Sequence, residues 1–230
     1  MQVLRIPDRR ILDLTGRDFK WGGRAVTPVY RNLSAGTSDQ TAFRFRNDDG
    51  TEATATFSAA LSTDLNAGSV TADFDFRLRI QTSCGGSSDI TLVPTLYVVH
   101  NAEAEQAVTG ASTRLIGYNS ANVTDEGATT EQLAGANPYT AGKMSEDGVS
   151  ASMNLPNEND TEHEFTLRAV YADMAAGVNT YVIRLKNNNV AYDQYTVPDA
   201  QLTLTKAVAG GQGNRPVVGG SIFFLWPFGY

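Results

Sequence analysis

The chain has 230 residues, 18 basic and 25 acidic side chains, a formal net charge of −7 and only 19% charged residues. That length is enough to bury a full core in one all-β unit, and the frequent Gly with short Thr, Val and aromatic runs suits strands better than helices. A single cysteine, Cys84, excludes an intrachain disulfide and a zinc framework. No run approaches the ~18–20 apolar residues of a membrane span. The opening residues lack the apolar stretch and small-residue cleavage site of a signal peptide, so the expected setting is a reducing cytoplasm and no membrane partner.

The charge is unevenly distributed. Residues 1–31 hold Arg5, Arg9, Arg10, Arg17, Lys20, Arg24 and Arg31 against Asp8, Asp13 and Asp18, a balance of +4. Residues 201–230 hold Lys206 and Arg215 and no acid, leaving −13 for the middle. Basic ends on an acidic body point to arms that lie on acidic protein surfaces. Nucleic acid is not the expected partner, because three acids dilute the seven basic residues.

In chain order, residues 1–31 alternate poorly and read as an extended basic arm, with a short helix at 9–14 as the other reading. Arg9, Arg10 and Trp21 are its candidate contact residues. The body, residues 32–206, begins with loop chemistry up to Asp39. Phe43 and Phe45 then alternate with Arg44 and Arg46, the period-two pattern of a strand with one buried and one wet face. Asn47-Asp48-Asp49-Gly50 follows as a tight reversal, with Gly50 suited to a positive φ. Thr54, Thr56 and Phe57 supply a return strand, completing a hairpin, and Asn66 to Ser69 read as a further turn.

Phe74, Phe76, Leu78 and Ile80 alternate with Asp75, Arg77, Arg79 and Gln81, the cleanest strand in the chain. Cys84 to Ser88 is a loop. Leu92 to His100 is a more continuously apolar strand, with Pro94 marking a bulge or edge near its start. About 101–159 the pattern fades into a long surface insertion, with a short helix expected near Glu103 to Ala107; contact with neighbouring subunits would account for so long an irregular stretch. Glu164 to Tyr171 restores alternation. Tyr181 to Lys186 and Val190 to Thr196 form a second hairpin around Asn187-Asn188-Asn189, and Leu202 and Leu204 belong to a last strand. Eight or nine strands make an antiparallel β-sandwich, jelly-roll-like, the expected fold.

Residues 207–230 form a Gly-rich linker and an aromatic tail. Ile222, Phe223, Phe224, Leu225, Trp226, Phe228 and Tyr230 crowd its last nine positions. Left in water these side chains would forfeit on the order of 10–20 kcal/mol, less the cost of ordering the segment. They are therefore the leading candidates for contact with the chain's own body or with another subunit, through strand addition to a sheet edge.

Candidate chemistry is sparse. His100 and His163 stand alone and read as surface histidines; Cys84 reads as a plain free thiol. Asn47 to Glu52 lacks calcium-loop spacing and reads as turn-forming acids, and the acidic run Glu158 to Glu164 is no stronger a calcium candidate, so no metal or cofactor is expected, and no phosphate cradle or nucleophile elbow occurs. Arg44, Arg46, Arg77, Arg79, Arg168 and Arg184 occupy outward strand positions. They form either cross-strand pairs with acids such as Asp75 and Glu52, or an exposed basic stripe for an acidic partner.

The segments FRFRNDDGTEATATF, FDFRLRIQ and EHEFTLRAVYADM…YVIRLKNNNVAYDQY resemble β-sandwich modules of tailed-bacteriophage structural proteins, over about half of the chain. The resemblance implies a non-enzymatic virion component assembled in the host cytoplasm, a homo-oligomer in contact with other virion proteins such as the major capsid protein. A capsid decoration (cement) protein fits best; a tail, neck or fibre component is the nearest alternative. A carbohydrate-binding sandwich module is the competing class, with Tyr97, Tyr181, Tyr192 and Tyr195 as its candidate aromatics.

Overall fold

The structure, a computed structural model, describes residues 35–207 and the backbone of residues 20–21 and 24–25. The chain divides into two units, Met1–Leu33 and Ser34–Tyr230. In the first, β1 (Lys20–Trp21) and β2 (Arg24–Ala25) pair antiparallel. The second contains, in order, β3 (Thr37–Arg46), β4 (Leu65–Val70), β5 (Phe74–Gly85), β6 (Ile90–Leu92), β7 (Pro94–His100), β8 (Gln106–Ala107), β9 (Leu115–Gly117) and β10 (Met144–Ser145). It continues through β11 (Met153–Leu155), β12 (Asp160–Ala169), β13 (Gly177–Asn187), β14 (Val190–Ala191), β15 (Gln194–Tyr195) and β16 (Ala200–Lys206). One 3-10 turn, Tyr171–Asp173, is the only helical element among the described residues.

The chain is therefore all-β, built from mixed sheets. One six-stranded sheet runs β10-β12-β5-β3-β15, with β9 also on β12; the other runs β4-β16-β13-β7-β8, with β14 also on β13. Most pairs are antiparallel, but β10–β12, β15–β3 and β4–β16 are parallel. β6 and β11 form a separate two-stranded ribbon. The alternation seen in the sequence sets the core. Phe43, Phe45, Phe76, Leu78 and Ile80 from the first sheet join Leu96, Val98, Ile183, Leu185, Leu202 and Leu204 from the second in one buried cluster.

Several local expectations are corrected. Residues 47–57 make no return strand; a single bridge, Arg46↔Phe57, is what remains of the hairpin, and β3 pairs with β5 instead. Phe45 packs against Phe76 of β5 at 5.9 Å between ring centres, so the non-local apolar pairing prevails over the local turn. Gly50 is not at positive φ; its bare Cα is needed because a Cβ would stand 2.7 Å from Thr54 Oγ1. Asn66 to Ser69 is edge strand, not turn, with the irregularity absorbed at Gly68, φ +74°. No helix forms near Glu103, where β8 begins three residues later. Pro94 does mark a break, since β6 belongs to the ribbon and β7 to the second large sheet. Of the second hairpin only the turn and a short return, Val190–Ala191, are present, with Asn188 (φ 45°) and Asn189 (φ 68°) in the left-handed turn that Asn tolerates; the rest of the expected return to Thr196 leaves β13, and Gln194–Tyr195 pairs in parallel with β3 of the other large sheet.

Candidate functional site

The outward positions of β3, β5 and β12 place four arginines side by side, with Arg44 opposite Arg79 and Arg46 opposite Arg77. In phase with them on β12 stand Glu162, opposite Gln81, and Glu164, opposite Arg79. The sequence reading thus brings the right arginines together but gives them the wrong environment. Arg46, Arg77 and Arg79 are fully buried, and β5 has no wet face over its central residues. The cover is the chain itself, in two pieces: the loop from 47 to 57 and residues 118–133 of the insertion.

Charge balance explains why burial is tolerated. Glu164 Oε2 accepts from Arg46 Nη1 and Arg79 Nη1, each at 2.6 Å, and Glu164 Oε1 from Arg77 Nη1 at 3.2 Å. Arg79 Nε donates to Glu162 Oε2 at 2.5 Å, and Arg79 Nη2 to Glu52 Oε1 at 2.6 Å. Arg77 Nη2 reaches Asp48 Oδ1 at 2.5 Å. Three guanidinium groups are met by four carboxylates, and like charges facing one another across strands are separated by shared acceptors.

The cover is fastened to the same groups. Arg46 Nη2 donates to the carbonyls of Glu52 and Ala55, Arg77 Nη2 to that of Gly50, and Arg79 Nη2 to that of Thr130. The backbone amides of Gln132 and Leu133 donate to Glu162, and Thr130 N–H donates to Glu52. Asp48 accepts from the Tyr118 and Ser120 hydroxyls. Arg44 stands at the margin, its Nε donating to Ala59 O and its guanidinium 3.7 Å over the Phe57 ring.

Burial works to raise the Asp48 carboxyl, but hydrogen bonds from Tyr118, Ser120 and Arg77 overcome it and hold the group below its ordinary range. Glu52 follows the same pattern: burial is outweighed by the Thr130 amide and Arg79. For Arg79, burial opposes the charged form, and Glu164 and Glu162 more than compensate, so its pKa is raised. Asp48, Glu52 and Arg79 are thus held in their charged states by the groups around them.

Of the remaining arginines, Arg168 pairs with Asp75 at 2.6 Å and lies over the Tyr118 ring, half-exposed. Arg184 pairs with Asp199 at 2.6 Å on the other large sheet. Cross-strand pairing, not an exposed basic stripe, is the outcome.

The histidines are not surface residues. His163 is wholly buried on the apolar side of β12, next to Ile80 of β5, with neither ring nitrogen hydrogen-bonded. Burial, with the nearby Arg79 charge, pushes its pKa down to about 3, so the ring is neutral. His100 is 2% exposed; its Nε2 meets Asn179 Oδ1 at 3.0 Å and its ring lies 4.8 Å from that of Tyr181. Cys84 is buried too, its thiol pKa raised by burial and then by Asp89.

Tyr181 and Tyr192 are core residues, which removes two of the four aromatics proposed for a carbohydrate face. Tyr97 is capped by Lys186 at 4.0 Å, and the Tyr195 hydroxyl donates to Leu185 O. Among the described residues no His, Cys, Asp or Glu group is arranged to hold a metal ion, and no helix is long and apolar enough to cross a membrane. The candidate contact residues Arg9, Arg10, Ile222, Phe223, Phe224, Leu225, Trp226, Phe228 and Tyr230, and the side chain of Trp21, lie outside the described residues.

The sequence contained one signal for the network that only the register reveals. Glu162 and Glu164 alternate in phase with Arg77 and Arg79, and a ladder pairing the two strands must bring them together. Compared with known proteins, the chain matches no family model and no curated sequence.

Proposed function

We propose that the chain is a non-catalytic structural component of a bacteriophage virion, a capsid decoration protein that self-associates and meets the major capsid protein through its terminal segments. In this reading its two six-stranded sheets pack as a β-sandwich, jelly-roll-like, and the protein is assembled into particles in the host cytoplasm. No cofactor, nucleic acid or membrane is required.

The observation that carries the reading is the fate of the reactive side chains. Arg46, Arg77 and Arg79 are ion-paired with Asp48, Glu52, Glu162 and Glu164, and His100, His163 and Cys84 are buried. Groups that could serve acid–base or nucleophilic chemistry either fasten the chain to itself or are shut in its core, as a protein whose task is to persist in a particle requires. The sequence resemblance to phage structural modules and the apolar segment Ile222 to Tyr230 support the same conclusion. A place in the tail, neck or fibre belongs to the same class and differs only in the partner.

Light-scattering mass is the test, on the full chain and on a chain lacking residues 214–230, each alone and mixed with assembled phage capsids. The expected result is an oligomer and a capsid-bound fraction for the full chain, with one or both lost on deletion. A monomer that ignores capsids, with or without the segment, would overturn the proposal. A glycan array read in parallel distinguishes the carbohydrate-binding class, which would show saturable binding.

A further inference from the structure

The two large sheets differ on their outward faces. The face built from β3, β5 and β12 is roofed by the chain and closed by the ionic network. The outward face of the β4-β16-β13-β7-β8 sheet has no such roof among the described residues. Its central rows are formed by Val99, Val178, Thr180, Val182, Gln201, Thr203 and Thr205, paired Val182↔Val99, Val182↔Gln201, Thr180↔Thr203 and Val178↔Thr205. None carries a charge. Val178 is 63% exposed, and it is one of three large apolar side chains that are exposed in the described body. The ionic residues on this face, Arg184 with Asp199 and Lys186 with Glu105, lie toward one end, while Lys206, at the other end of the sheet, turns its ammonium to the carbonyls of Tyr171 and Met174. What remains is an uncharged surface, β-branched apart from Gln201, in a protein that otherwise covers its sheets with charge or with its own loops.

The chain leaves the described body from this sheet, at the end of β16, beside Thr205. The linker 207–221 starts there, and no charged side chain follows Arg215. By composition alone, a Gly-rich linker of fifteen residues has an r.m.s. span of about 20 Å, and β13, the longest strand of the face at 11 residues, is about 35 Å long. The apolar segment is thus delivered within reach of the face by a tether that begins at its margin. A tether of this kind gives an effective concentration in the millimolar range, well above that of a second copy in dilute solution. Aromatic side chains over β-branched strands bury apolar area on both partners without stranding a charge.

We propose that the outward face of this sheet is a docking surface for Ile222–Tyr230 of the same chain, which lies across Val178, Val182 and the threonine rows in the free protein. In the free chain the segment is held in cis, so contacts between copies come from elsewhere in the chain and a capsid takes up the segment by displacing it from this face.

Tryptophan emission tests it directly, because the two tryptophans are Trp21 and Trp226. In the full chain carrying Trp21→Phe, Trp226 is the only reporter. Its emission is expected to be blue-shifted and poorly quenched by acrylamide, with no dependence on protein concentration. Val178→Asp, at an exposed position that leaves the core intact, should move the emission to the red. It should also raise the chymotryptic cleavage rate within 223–226 by at least about tenfold, the equivalent of ~1.4 kcal/mol of docking free energy. Val190→Asp, at an equally exposed valine on the β13–β14 hairpin, should change neither. Circular dichroism melts of both variants verify that the body is folded. The proposal is overturned by a solvent-exposed Trp226 in the Trp21→Phe chain, or by a Val178→Asp variant with unchanged emission. It is likewise overturned by a blue shift that grows with concentration, which would make a second copy the occupant. If Val178→Asp instead alters Trp21 emission in a Trp226→Phe chain, residues 1–33 cover the face and the assignment fails.

Discussion

Glu164→Gln is the most informative single change. Glu164 is 1% exposed in its side chain, and the three arginines it contacts are at 0%. The substitution keeps the shape but removes the charge that Arg46, Arg77 and Arg79 share, and it turns an amide NH2 toward groups that can only donate. Removing one member of a buried ion pair costs about 3–5 kcal/mol, because the remaining charge is left uncompensated; with three guanidinium groups affected, the upper part of that range applies. For a chain of this size each kcal/mol moves the melting temperature by about 2–4 °C, so a fall of about 10–20 °C is expected by calorimetry or circular dichroism. Asp75→Asn breaks the half-exposed pair with Arg168 and should cost no more than about 1 kcal/mol. Arg46→Met should cost less in the Glu164→Gln background than in the parent, with a coupling of about 0.5–3 kcal/mol. A Glu164→Gln variant within about 1 kcal/mol of the parent would refute the claim that the network anchors the fold.

Acid should weaken the fold in a predictable window. Below about pH 6.5 the unfolded chain protonates His163, whereas the folded chain resists until about pH 3, so this group removes about 1.4 kcal/mol per pH unit on acidification. Asp48 and Glu52, held low in the folded state, act in the same direction further down as they become protonated. Denaturant titrations from pH 7 to pH 4 should show a shallower decline for His163→Leu; an unchanged slope would exclude His163 as the source. Gly142→Ala would set a Cβ 2.0 Å from the Glu162 carbonyl oxygen, and overpacking of this kind costs about 1–3 kcal/mol; a melting curve that overlays the parent would show that the insertion moves aside freely. Cys84, buried and with its pKa raised, should react with a thiol reagent at the rate of unfolding, so labelling of the native chain within the mixing time would contradict its placement.

The strand pattern was legible because period-two alternation reports which residues share a face. Phe76, Leu78, Ile80, Phe165, Leu167 and Ala169 lie in the core as that parity predicts, while Phe74 and Tyr171, at the ends of the two runs, are only half-buried. What alternation does not report is whether the second face is wet. Arg77 and Arg79 look solvent-facing in isolation; their burial depends on Glu162 and Glu164, some 85 residues away in the chain, and on a cover supplied by a segment whose own sequence shows no periodicity. That segment, 118–133, is held mainly by side chains bonding to its backbone rather than by a ladder, so it leaves no strand signature. The same blindness misassigned the histidines. His163 sits in an acidic run, but its parity puts it with Phe165 on the apolar side, and parity was the better guide.

The arginines grip their cover chiefly through main-chain oxygens: those of Gly50, Glu52, Ala55 and Thr130. A carbonyl is present whatever side chain the residue carries. The guanidinium groups therefore dictate the route of these loops while leaving many of their letters free to drift, and an outer surface can be rewritten over generations without disturbing the scaffold beneath it.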